Sequence, residues 1–95
     1  MDKQREIHII VAGNAGSGKS QVAYIIKEAL KNAGIDVQFD CGFDYMDIND
    51  FDTQLKTNYD ERCKAINEKS LVTLKELQIK AVFKSNGISN NLHDL

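Results

Sequence analysis

Eight consecutive residues near the start of the chain have the types and the spacing needed to hold phosphate groups. They fit the pattern G-x-x-x-x-G-K-[ST], with Gly18, Lys19 and Ser20 at its end. Its glycines allow backbone conformations in which successive N–H groups point into one concavity. Lys19 adds a charge for the β- and γ-phosphates, and the Ser20 hydroxyl suits Mg²⁺. The pattern predicts a nucleotide-phosphate site formed by Gly13, Asn14, Ala15, Gly16, Ser17, Gly18, Lys19, Ser20 and Gln21.

The residues on either side of the loop predict the two elements that would position it. The apolar run at 7–12 is rich in β-branched residues, which is typical of a strand buried in a parallel sheet. From Lys19 onward the apolar residues recur three and four positions apart, which predicts an amphipathic helix. Gly34 follows the last of them and predicts a left-handed stop. The stripe consists of Val22, Ile25, Ile26, Ala29, Leu30 and Ala33.

The rest of the chain predicts a small α/β fold. Residues 35–40 alternate apolar and polar side chains and predict a second strand. Residues 41–52 are acidic, contain three aromatic residues and predict a loop, and 53–67 predict a second helix. A third strand is expected within 70–82, where the spacing of the leucines also fits a helix. We therefore expect a three-layer fold around a parallel sheet of about three strands, with a domain at 1–83 and a polar tail at 84–95.

Residues 7–30 resemble the opening of P-loop NTPases, whose phosphate loop is the Walker A motif. The whole chain also resembles the short P-loop proteins, often called ATPase-like, that bacteriophages encode. The resemblance implies a truncated P-loop core that binds ATP or another nucleoside triphosphate with Mg²⁺. It also implies that the ligand lies at the carboxyl end of the strands.

Six aspartates lie between positions 36 and 52, and one of them could be a ligand of the metal or of its bound water. Asp40 would end the second strand, and in P-loop kinases, which this region resembles loosely, an acidic residue there contacts metal-bound water or the phosphate acceptor. Lys19 and Asp40 are thus the predicted catalytic residues, and Ser20 and Asp40 the predicted metal residues, with Asp44 a second choice. The alternative is that all six aspartates form a solvated acidic loop.

Other parts of a complete P-loop enzyme have no counterpart in the sequence. No apolar run ending in aspartate follows Asp52, so the Walker B carboxylate is not recognisable. Arg5 and Arg62 are the only arginines, and Arg62 is expected to face solvent. These departures favour a nucleotide-dependent binding module with at most slow hydrolysis. The alternative is a minimal ATPase or a small-molecule phosphotransferase.

Composition limits the remaining function classes. The net charge of −2 and the scattered basic residues argue against a nucleic-acid partner. No apolar run approaches the ~20 residues that cross a bilayer, so we expect a cytoplasmic protein, in the host cytoplasm if a phage encodes it. A sheet with only two helices would be poorly covered, which predicts a homodimer or a protein partner.

Overall fold

The computed structural model of the chain describes residues 5–78. Three helices lie in one compact unit, Ile10–Leu71: α1 at Lys19–Asn32, α2 at Ile48–Lys56 and α3 at Tyr59–Lys69. The other described residues, 5–9 and 72–78, belong to a second unit. No strand occurs anywhere in residues 5–78. None of the helices in this range is long and apolar enough to cross a membrane.

The predicted α/β fold with a three-stranded parallel sheet is therefore wrong, because the described part of the chain is all-helical. The segments 7–12, 35–40 and 70–78 have no regular structure, and the end of the third predicted strand, 79–82, lies outside the described residues. Ile7 is 90% exposed and Ile10 53% exposed, so the apolar residues of the first segment are not packed in a sheet. Apolar alternation makes a strand only where another strand pairs with it, and nothing local in a sequence supplies that partner.

The predicted boundary at 83/84 and the tail at 84–95 also lie outside the described residues. The predicted homodimer or protein partner is not tested by one chain and stays a prediction. Large apolar side chains that a partner could cover are exposed in the described range, among them Phe43, Met46 and Leu71.

Helix α1 begins and ends where the sequence predicts. Gly34 has φ 83°, the left-handed conformation expected of the stop. The N–H of Ile35 donates to Leu30 O at 3.0 Å and that of Gly34 donates to Lys31 O at 3.0 Å, which is the Schellman arrangement. The end of α1 is thus determined by local residues alone.

The face of α1 that is most buried is not the predicted apolar stripe. The buried residues are Gln21, Tyr24 and Lys27, whereas the stripe is at most half-buried and Ala29 is exposed. The stripe was expected to pack on the sheet. Because no sheet forms in the described residues, α1 packs its other face against α2.

Helix α2 begins inside the segment that was predicted to be a loop. Asp47 caps it by accepting a hydrogen bond from Asp50 N–H at 2.8 Å, and Asp50 accepts one from Met46 N–H at 3.0 Å. This is a variant of the capping box, in which each carboxylate satisfies a backbone donor. The hydrogen bonds from Met46 N–H and the Gln54 amide hold the pKa of Asp50 below its usual range.

The single helix predicted at 53–67 is in fact two helices. Asn58 has φ 55° and interrupts the chain between α2 and α3. The Arg62 Nε then donates to Thr57 O at 2.8 Å across this break. The apolar spacing continues through the break, which is why periodicity alone did not reveal it.

Phe51 is the centre of a small core that holds α1 and α2 together. It is 2% exposed, and its ring centroid lies 4.8 Å from that of Phe39, 4.9 Å from that of Tyr45 and 6.2 Å from that of Tyr24. Leu55 completes the buried set. Aromatic pairs at such distances stabilise a fold beyond the area they bury.

Lys27 adds a charged link between the same two helices. Its ammonium lies 2.5 Å from Glu28 and 3.0 Å from Asp52, and 5.4 Å from the centroid of the Tyr24 ring. The approach to Asp52 is a charge contact without full hydrogen-bond geometry. Burial lowers the pKa of Lys27, but its hydrogen bonds and the two carboxylate charges outweigh burial and raise it above the usual value. Lys27 therefore stays charged in the interior.

We predict that Phe51→Ala unfolds most of the described core. Truncating a buried phenylalanine costs about 3–5 kcal/mol, which is a large share of the stability of a domain this small. Phe43→Ala is the matched control, because Phe43 is exposed and should change stability by no more than about 0.5 kcal/mol. Urea unfolding followed by far-UV circular dichroism measures both. Equal losses in the two variants would contradict the core described above.

Candidate functional site

The predicted phosphate loop leads directly into the first turn of α1. Ser17 N–H donates to Asn14 O at 3.1 Å, and the first hydrogen bond of the helix runs from Val22 N–H to Gly18 O at 3.1 Å. The N–H groups of the first helical residues therefore have no acceptor within the helix. The first turn of α1 contains no acidic residue and no side-chain cap, whereas α2 and α3 each have acidic residues there. This end of α1 is free to attract an external anion.

Helix α3 packs directly on the loop. Gly18 has φ 95°, and a methyl group added to it would lie 2.5 Å from Ile66 Cγ1 and 2.9 Å from Ile66 Cδ1. The Ser70 hydroxyl, just after α3, donates to Ser17 O at 2.7 Å. Glycine is thus required at position 18 both for its backbone conformation and for the close approach of α3.

An open cleft of about 450 Å³ lies between the loop and α3. The loop and the start of α1 form one side, α3 forms the opposite side, and the segment before α2 together with α2 itself contributes the remainder. Most of the predicted phosphate residues line it, although Gly13 and Asn14 do not. The lining residues are Ala15, Gly16, Ser17, Gly18, Lys19, Ser20, Gln21, Asp44, Tyr45, Leu55, Arg62, Ala65, Ile66, Lys69 and Ser70.

Three cationic side chains share this cleft. Lys19, Arg62 and Lys69 line it, and none of them forms an ion pair with a residue in 5–78. By contrast, Lys27 is paired with two carboxylates and Lys64 lies 4.0 Å from Glu68. Unpaired cations in one concave surface raise the local concentration of anions. The electrostatics of the cleft therefore favour a ligand with several negative charges.

The amide of Gln21 has an unsatisfied hydrogen-bonding capacity in the same place. Gln21 is 3% exposed and lines the cleft, and neither its Oε1 nor its Nε2 has a hydrogen-bond partner in the described chain. Leaving such a group unpaired costs about 1–3 kcal/mol. Less than 1 Å² of either amide atom is accessible, so a polar ligand in the cleft would offset this cost only after the Gln21 side chain changes its rotamer.

The six aspartates are in different environments. Asp44 lines the cleft, whereas Asp40, the first choice from the sequence, is exposed and does not line it. Asp47 and Asp50 form the α2 cap, and Asp52 pairs with Lys27. Asp44, and not Asp40, thus lines the same cleft as Ser20.

Sequence reasoning missed the contribution of α3. Arg62 was expected in solvent; it is exposed, but it also lines the cleft, and Lys69 was not considered. A signal was present, because Arg62, Ile66 and Lys69 are spaced by four and three residues and so share one helical face. The spacing indicates a helical face with one apolar residue between two cations, but it does not indicate which part of the chain this face contacts.

The oxygen donors of the cleft fit Mg²⁺. Within residues 5–78, no group of three or more His, Cys, Asp or Glu side chains is arranged to hold a metal. Mg²⁺ needs no such group, since it keeps several waters and takes one or two protein oxygens together with the phosphates of its ligand. The Ser20 hydroxyl and the Asp44 carboxylate would hold it here.

No protein-family model matches the chain, and no curated protein or solved structure is similar to it. The resemblance to P-loop proteins therefore depends on the loop pattern and on the helix that follows it.

We predict that Gly18→Ala separates α3 from the loop. A left-handed backbone at a residue with a Cβ costs about 1–2 kcal/mol, and the overlap with Ile66 adds about 1–3 kcal/mol. Gly42→Ala is the control, because a methyl group there meets no atom within 4 Å. Ile66→Ala introduced into Gly18→Ala should recover the packing part of the loss but not the backbone part. Urea unfolding measures all three, and a Gly18→Ala variant as stable as Gly42→Ala would contradict the packing of α3 on the loop.

Proposed function

We propose that the chain binds a nucleoside triphosphate, ATP together with Mg²⁺, in the cleft between the Gly13–Ser20 loop and α3. The main observation behind the proposal is that residues of the phosphate-loop pattern and three unpaired cations line the same cleft. Each feature alone favours an anion, and together they favour one that is extended and highly charged. Such a ligand is present in the cytoplasm, where we place the protein.

Each group that lines the cleft has its own role in the proposed binding. The N–H groups at the start of α1 and the Lys19 ammonium bind the phosphates, because both are directed at negative charge. The Ser20 hydroxyl and Asp44 bind the metal, which reduces the repulsion between Asp44 and the phosphates. Gln21 lines the cleft, and its unpaired amide would reach the ligand after a change of rotamer.

We favour a binding module over an enzyme. Hydrolysis requires a group that positions water, and among residues 5–78 Asp44 is the only carboxylate that lines the cleft. A module of this kind would act by presenting its nucleotide-bound surface to a second copy or to another protein. Slow hydrolysis is the second candidate, favoured by the presence of Lys19, Ser20 and Asp44 in one place.

We predict that Lys19→Ala weakens binding of ATP by about 2–3 kcal/mol without unfolding the chain, since it removes a charge-assisted contact. Lys64→Ala is the matched control, because this lysine is 77% exposed on α3 and does not line the cleft. Titration calorimetry measures both affinities. Equal affinity in wild type and Lys19→Ala would exclude Lys19 from the site. If the wild-type chain releases phosphate over several turnovers and Lys19→Ala abolishes this release, the chain is an enzyme and not only a binding module.

The metal residues give a second prediction. Ser20→Ala and Asp44→Asn should each reduce the gain in affinity that Mg²⁺ produces, while metal-free binding changes little or, for Asp44→Asn, improves. Asp40→Asn is the comparison that decides between the two carboxylates. Calorimetry with Mg²⁺ and with a chelator measures the difference. A loss of the Mg²⁺ effect in Asp40→Asn alone would assign the metal to the residue expected from sequence.

A further inference from the structure

We infer that Arg62 and Lys69 of α3 make the cleft selective for a triphosphate over a diphosphate, an assignment that rests on the proposed function. The phosphate loop supplies the pattern that marks the site, but it supplies only one charged side chain, Lys19. The other two cations of the cleft come from α3. Selectivity by phosphate number is therefore assigned to α3, which begins 39 positions after the end of the Gly13–Ser20 loop.

Two contacts hold α3 against the loop. Ile66 packs on the backbone of Gly18, and the hydroxyl of Ser70 donates to Ser17 O at 2.7 Å. Arg62 lies four residues before Ile66 on the helix, and Lys69 lies three residues after it. With a rise of about 1.5 Å per residue, the two cations stand on either side of the Ile66 contact, about 10 Å apart along the helix axis. An extended anion that lies along the cleft can approach both.

The guanidinium of Arg62 is oriented by the protein. Its Nε donates to Thr57 O at 2.8 Å, and its backbone N–H donates to Asn58 O at 2.9 Å. The fork of terminal N–H groups is not used in an ion pair within residues 5–78. A planar fork held in this way matches the geometry of a phosphate group better than an ammonium does.

These cations distinguish ligands by phosphate number because a triphosphate carries more negative charge than a diphosphate. The attraction between a cation and a polyphosphate grows with the charge of the polyphosphate. Among residues 5–78, three cations and one carboxylate, Asp44, line the cleft, which gives this part of it a net positive charge. Removal of an α3 cation should therefore weaken the more highly charged ligand most.

The test compares inorganic tripolyphosphate with pyrophosphate, and ATP with ADP, by titration calorimetry on the full chain. Arg62→Gln and Lys69→Gln should each weaken the triphosphate ligands about 5-fold and the diphosphate ligands about 2-fold, as expected for exposed charges. Lys64→Gln on the same helix should change neither. The difference should shrink at high salt, which screens exposed charges. Arg62→Lys should keep part of the preference, since it keeps the charge but loses the fork.

The outcomes separate this inference from the proposed function. If Lys19→Ala weakens binding but Arg62→Gln and Lys69→Gln leave the ratio of triphosphate to diphosphate affinity unchanged, the assignment to α3 is overturned and the site stands. The assignment to Arg62 and Lys69 is also overturned if Lys64→Gln lowers the ratio of triphosphate to diphosphate affinity as much as Arg62→Gln and Lys69→Gln do. If the wild-type chain binds none of the four ligands, the proposed function itself fails. Far-UV circular dichroism of each variant checks that α3 is still folded, and Lys69→Gln tests the idea without touching the Thr57 contact.

Discussion

Ile66 packs against the backbone of Gly18, and the rest of the site depends on this contact. It works only because position 18 has no side chain and can adopt a φ of 95°. The hydrogen bond from Ser70 to Ser17 O fixes the same approach from the end of α3. Without these two contacts Arg62 would be a solvated charge on a surface helix. With them Arg62 lines a cleft together with residues of the Gly13–Ser20 loop.

Helix α1 connects this site to the core, because its buried face serves both. Gln21 faces the cleft at one end of that face, while Tyr24 and Lys27 contact α2 further along. The core itself is small, so its stability margin is narrow. A ligand at about 100 times its dissociation constant would add about 2.7 kcal/mol, which is comparable to the effect of one core side chain. Binding in the cleft and folding of α1 should therefore be strongly coupled.

The features that sequence predicted correctly are those that depend on local residues. Both ends of α1 follow from the loop glycines and Gly34. The predicted phosphate residues from Ala15 to Gln21 line one cleft, and their role as a binding site stays a prediction. The predicted strands were wrong because the strand that would pair with each of them is a property of the whole fold. The start of α2 was missed because residues 41–52, with four aspartates, three aromatic residues and no clean period, predicted a loop. Asp47 and Asp50, three residues apart, were the capping signal that could have corrected it. The role of Arg62 could not be predicted, since it depends on where α3 docks.

Net charge alone gave an incomplete picture of the ligand. The chain has a formal charge of −2, which argues against a nucleic-acid partner, yet its cleft contains three cations and one carboxylate. The discrepancy arises because the aspartates are used elsewhere: two of them cap α2, and a third neutralises Lys27 in the interior. Three of the six aspartates between positions 36 and 52 are thus used in building the helical scaffold. Lys19, Arg62 and Lys69 line the cleft and form no ion pair within residues 5–78, so a chain with a net negative charge can still present a local positive potential there.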